Sequence, residues 1–100
     1  MREKMKSLDH VAIVVKDPKA AVKWYCDQFG GRKIYVDDTW GMVQFSNIKL
    51  AFVVEEEHPA HIAFNAKVVE GTRHRDGSVS KYTKDPWGND IELIDYFNAV

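Results

Sequence analysis

The sequence predicts an α+β fold built from two tandem βαβββ modules, the second without its helix. Three observations predict it. A single stretch carries the signals of a complete helix with both ends capped. Eight short segments read as strands, most of them alternating or rich in β-branched residues. The second half of the chain also opens on "AHIAFNA", an echo of the "DHVAIVV" near the start: in each, a histidine is followed by a β-branched residue and then by alanine.

In chain order, "SLDHVAIVV" (7–15) alternates and is rich in β-branched residues, as a strand is. "DPKAAVKWYCDQFGG" then places Asp17 as N-cap, Pro18 at the first helical position and Gly30-Gly31 as the stop. Val22, Tyr25, Cys26 and Phe29 recur at helical spacing and predict one buried stripe, with Trp24 off it, either partly exposed or meeting a partner. Strands follow in "RKIYVDD", "WGMVQFS" and "IKLAFVVEE", the last two joined by a tight turn at "SNIK" (46–49).

The second half repeats the order of strands with "AHIAFNA", "KVVEGTRHRDG", "SVSKYTKD" and "NDIELIDY". No helix fits between the first two of these, because "NAKVVEG" is short and its paired valines are poor helix formers. The expected organisation is a basic leader at 1–7, a first module at 8–57 and a β-rich second module at 58–100, together one compact domain. Its sheet is expected to be curved and mostly antiparallel.

Composition narrows the function classes. One hundred residues, 45% hydrophobic and 29% charged, describe one ordinary globular domain. With net charge −1 and a single short basic cluster, "MREKMK", the chain lacks the electrostatic footprint of a nucleic-acid binder. No apolar run is long enough for a membrane span or a signal peptide. The lone Cys26 permits no internal disulfide, so a cytoplasmic location is expected, with Cys26 serving as a small apolar helix residue.

Side chains alternate across a strand, and parity sorts them into faces. Val11, Ile13 and Val15 oppose His10, Ala12 and Val14. Ile62 and Phe64 oppose His61, Ala63 and Asn65. In the last strand Ile91 and Leu93 oppose Asp90, Glu92 and Ile94. One face of each strand thus carries a metal-capable side chain, beside small Ala12 and Ala63 in the two histidine strands.

The turn "DPWGN" fixes the register of the last hairpin. Asp85, Pro86 and Gly88 suit the first, second and fourth positions of a type I turn followed by a bulge, which pairs Asp85 with Asn89 and Tyr82 with Glu92. A phenol then stands beside the carboxylate. Taken alone, Glu92 is either a solvent-facing strand residue or an acid aimed into a cavity. Two imidazoles and one carboxylate make the facial triad of Fe(II) sites, equally able to hold Mn, Co, Ni or Zn. Gln44 and Lys49 share the candidate face, as does Asn65, and are candidates for substrate contact. His58 and His74 lie in turn-rich, charged surroundings and read as surface residues.

Three stretches, "LDHVAIVVKDPKAAVKWYCDQFGG", "HIAF" and "YTKDPWGNDIELID", resemble the vicinal oxygen chelate superfamily, from about Leu8 to Tyr96. That group includes glyoxalase I, extradiol dioxygenases, methylmalonyl-CoA epimerase, fosfomycin-resistance thiol transferases and bleomycin-resistance proteins. The last stretch is the most specific, since the family's DPxGNxxE segment delivers its carboxylate ligand. The resemblance implies paired βαβββ modules enclosing a divalent transition metal held by His10, His61 and Glu92, with Tyr82 able to hydrogen-bond a bound oxygen.

Departures rank the branches. The fourth ligand of glyoxalase I and the epimerase falls at Ala51, which favours a three-ligand, dioxygenase-type enzyme slightly over a glyoxalase-like lyase or isomerase. The threonine of the fosfomycin enzymes falls at Ala12. No clear match to the extra histidine of the dioxygenases stands out. Bleomycin-binding members generally lack the metal ligands, which argues against that role here; the alternative from another class is a non-catalytic small-molecule (antibiotic) binding protein whose metal site is vestigial. Without a second helix, Ile62, Phe64, Ile91 and Leu93 need cover, and a homodimer is the expected partner state. The other expected partner is a small-molecule substrate.

Overall fold

A computed structural model describes residues 5–96. Its elements are β1 (Leu8–Val14), α1 (Pro18–Phe29), β2 (Arg32–Val36), β3 (Trp40–Gln44), β4 (Lys49–Val53), β5 (His61–Asn65), β6 (Thr72–Arg73), β7 (Val79–Lys84) and β8 (Asp90–Asp95). They fall into two units. The first covers His10–His61, and the second covers the described parts of Met1–Asp9 and Ile62–Val100. Within the basic leader, residues 1–4 lie outside the described residues, and Met5 and Lys6 are exposed.

In the first unit the strands run β2-β3-β4-β1, with β1 parallel to β4 and the other two pairs antiparallel. The parallel pair requires a crossover, which α1 supplies. Its ends are fixed locally: the Asp17 carboxylate accepts from the Ala20 N–H at 3.2 Å, and Gly30 leaves the helix in the left-handed region. One helix face buries Val22 against Val43 and Phe52, with Ile13, Val15, Tyr25, Cys26 and Leu50 packed around them. The helix approaches β3 closely at Gly41, where an added Cβ would sit 2.8 Å from Val22 Cγ2.

Phe29, expected as the last member of the buried stripe, is 64% exposed. It is the final helical residue, beyond which Gly30 turns the chain away, and its ring packs on Trp24 and Tyr25 instead of the sheet. Trp24 is half exposed, as its position off the stripe predicts.

The second unit repeats this arrangement strand for strand. Its order is β5-β8-β7-β6, with β5 parallel to β8 and the remaining pairs antiparallel. The repeat extends to register: Ala12 pairs with Ala51 and then Met42, where Ala63 pairs with Glu92 and then Tyr82. The helix is missing from the described residues of this unit, as the sequence predicts. Residues 66–71 replace it, anchored by buried Val68, whose N–H donates to the Asp95 carboxylate at 2.9 Å.

The strand expected over "KVVEGTRHRDG" shrinks to Thr72–Arg73. Val68 spends its N–H on a side chain instead of a ladder, and Asp76 closes a turn by accepting from the Ser78 N–H at 2.8 Å. Without a helix, the outer face stays open. Ile62 is 43% exposed and Phe64, Ile91 and Leu93 are half-buried, whereas Phe52, the counterpart of Leu93 beneath α1, is fully buried.

Candidate metal centre

His10 and His61 belong to the first unit, and both are buried. Their Nε2 atoms lie 3.3 Å apart, with the rings edge to face at 76°. The backbone decides the tautomer of His61. Its Nδ1 lies 2.8 Å from the Pro59 carbonyl, which can only accept, so Nδ1 carries the proton and the lone pair is on Nε2, the nitrogen facing His10. A backbone carbonyl behind a metal-binding imidazole is the usual way such a ring is oriented.

Glu92 belongs to the second unit and is 7% exposed, between half-buried Ile91 and Leu93. It is not a solvent-facing residue. The β7–β8 register places Tyr82 directly opposite. That register follows from the turn: the Asp85 N–H donates to the Asn89 carbonyl at 3.0 Å, the Gly88 N–H donates to the Asp85 carbonyl, and Gly88 has φ 89°. The Asp85 carboxylate also accepts from the Trp87 and Asn89 N–H groups and from the Asn89 amide. Those bonds, led by the Asn89 side chain, hold its pKa below the ordinary carboxylate value. Burial, then the Glu92 and Asp90 charges, raise the Tyr82 pKa, so the phenol keeps its proton at neutral pH and can donate.

The sequence-derived substrate contacts divide. Lys49 pairs with His10 in the ladder and Gln44 with Lys49, so all three share one row. The Gln44 amide, however, donates to the Phe45 carbonyl beside it. Asn65 pairs with Ile94 on the Glu92 side of its sheet and donates from Nδ2 to Ser7 Oγ at 3.0 Å. It helps line an open pocket of about 590 Å³ with Lys67, Ile94 and Tyr96.

His58 is exposed, as expected. His74 is exposed too, yet its Nε2 lies 2.6 Å from Oγ of Ser80, which is buried. Ser80 and Tyr82 share the side of β7 that faces Glu92. This pair was missed in the sequence. The alternation Ser78, Ser80, Tyr82 ahead of Glu92 is the signal that would have found it.

The first unit thus offers two buried imidazoles, His10 and His61, and the second a buried carboxylate, Glu92. Imidazole and carboxylate are donor types that a divalent transition metal takes.

Comparison with known proteins places the fold. A variant of methylmalonyl-CoA epimerase from Streptomyces coelicolor, in complex with 2-nitronate-propionyl-CoA, is similar at TM-score 0.72 and 17% identity, over 96% of this chain and 98% of that one. A hypothetical protein, BH1468, from Bacillus halodurans C-125 is similar at TM-score 0.71 and 16% identity, over 92% and 95% of the two chains. No curated protein matches the sequence. Residues 7–70 match a family model, and with that match the chain belongs to the Glyoxalase/Bleomycin resistance protein/Dioxygenase superfamily.

Proposed function

We propose that this protein is a small divalent-metal-dependent enzyme that binds its substrate through two neighbouring oxygens, with dioxygenase-type chemistry ahead of lyase or isomerase chemistry. His10, His61 and Glu92 are the ligands in this reading. The observation that carries it is the His61 tautomer: the Pro59 carbonyl fixes the proton on Nδ1, so the lone pair lies on Nε2, the nitrogen turned toward His10 Nε2 at 3.3 Å. A metal bound by these residues supplies Lewis acidity toward a substrate oxygen and, when it is iron, a centre for oxygen activation.

The chain's own residues supply the rest. Tyr82, neutral at pH 7, donates a hydrogen bond to charge developing on a substrate oxygen. His74, hydrogen-bonded to Ser80 on the side of β7 that faces Glu92, provides a base that can take and return a proton. A histidine of that kind supports the dioxygenase-type reading. Lys49, in the His10 row, and Asn65, across from Ile94, are the remaining candidates for substrate contact.

The second reading, an epimerase- or glyoxalase-like reaction, draws on the fold shared with methylmalonyl-CoA epimerase. Ala51 counts against it, because the position equivalent to Glu92 in the first unit has no ionisable group. A homodimer completes the proposal, supported by the open apolar face of the second unit. Anaerobic reconstitution with Fe(II) tests the function. Oxygen uptake with a panel of catechols supports the first ranking. Turnover of a hemithioacetal without oxygen uptake reverses it.

A further inference from the structure

The face of the first unit that holds His10 is organised in cross-strand rows. One row is His10, Lys49 and Gln44, another Ala12, Ala51 and Met42, and the third Val14, Val53 and Trp40; β2 adds Tyr35 beside Met42. The first row is polar and the other two are apolar apart from the Tyr35 hydroxyl. Ala12, Ala51 and Val53 are buried, and half-buried Trp40 and Met42 lie packed on them. The Tyr35 ring, 42% exposed, stacks on Trp40 at 4.8 Å between centroids.

This surface is held in place rather than merely exposed. The Asp37 carboxylate accepts from the Tyr35 hydroxyl and from the backbone N–H groups of Thr39 and Trp40 at 2.8 and 3.1 Å, which fixes the Tyr35 ring and the backbone that carries Trp40. The repeat shows that an apolar surface is not dictated by the fold. In the second unit the same register positions as Ala51, Met42 and Trp40 are occupied by Glu92, Tyr82 and Ser80, all polar.

We infer that Trp40, Tyr35 and Met42 form a subsite for an uncharged aromatic group, so that the substrate is an aryl compound rather than a phosphorylated or coenzyme-bearing one. Two ring faces and a polarisable thioether favour an aromatic group over an aliphatic one, and neither apolar row holds a cation for a phosphate. The inference rests on the proposed function only for the oxygen-bearing end of the substrate; the aryl subsite itself needs no metal.

The test is therefore run on metal-free protein, by isothermal titration with 2-naphthol and, for comparison, its saturated counterpart decahydro-2-naphthol. The naphthol is expected to bind at least about tenfold more tightly than the saturated alcohol. Trp40→Ala weakens naphthol binding by about tenfold, and Trp40→Phe by much less. Tyr35→Leu, at an exposed ring, weakens it in the same direction and serves if Trp40→Ala does not fold. Equal affinity for the two probes, or naphthol binding unchanged in the Trp40 and Tyr35 variants, overturns the inference. Metal analysis of the same protein before the metal is stripped separates the two readings: naphthol binding without metal supports the subsite and not the metal centre, and metal without naphthol binding overturns the subsite alone.

Discussion

Tyr82 stands directly opposite Glu92 across the β7–β8 hairpin, a half-exposed phenol beside a buried carboxylate. In the proposed chemistry the pairing gives the tyrosine its task. Held neutral by burial and by the neighbouring charges, it is a hydrogen-bond donor on the side of the sheet where Glu92 points. Tyr82→Phe is accordingly expected to keep its fold and metal content while losing activity by about a hundredfold, the usual cost of removing one such donor. Steady-state kinetics with metal analysis of the same sample checks this. Loss of metal together with activity would make Tyr82 a structural support instead.

His74 tests how far acid–base chemistry extends along that side. Its Nε2 meets Ser80, two residues from Tyr82 on the same strand face. His74→Gln is expected to lower kcat by about 10²-fold with substrate affinity little changed. An unchanged kcat would reduce His74 to an anchor of the hairpin.

The turn that sets the register carries its own pH dependence. The Asp85 carboxyl is held below its ordinary pKa by the Asn89 side chain and by backbone N–H groups of the turn. A group depressed in the folded state stabilises fully above its unfolded value of about 3.9 and loses that contribution as pH falls through the folded value. Wild type is thus expected to melt above Asp85→Ala near neutral pH, and the gap should close in strong acid. Thermal scans of both proteins from about pH 7 down to about pH 2 read this directly.

The repeat predicts unequal costs for equivalent core truncations. Phe52 is fully buried beneath α1, so Phe52→Ala is expected to cost about 3–5 kcal/mol. Its counterpart Leu93 lies on the face without a helix, and Leu93→Ala should cost clearly less in dilute solution. If a second copy covers that face, light scattering will find a dimer that Ile62→Asp converts to monomer without loss of secondary structure. A wild-type monomer at micromolar concentration would contradict the dimer.

Much of this was legible in the sequence, for identifiable reasons. Asp17, Pro18 and Gly30 bounded α1 because capping is local chemistry, and "DPWGN" fixed the Tyr82–Glu92 pairing because a turn's length sets its register. The exposure of Phe29 could not be read the same way, since helical spacing does not say where the sheet beneath the helix ends. The short β6 was hidden because Val68 bonds to Asp95, a partner 27 residues away. Likewise the His74–Ser80 contact depends on how tightly the Asp76–Gly77 turn folds back, and composition pointed only to a surface histidine.

Everything proposed for the chemistry depends on His10, His61 and Glu92 holding one divalent metal, and elemental analysis of protein purified without chelator decides that point. About one transition-metal ion per chain is expected, falling below about a tenth in His61→Ala and in Glu92→Ala while both variants stay folded. Wild-type protein with metal below about a tenth of an equivalent, unchanged in those variants, would contradict the metal centre and point to a metal-free binding protein.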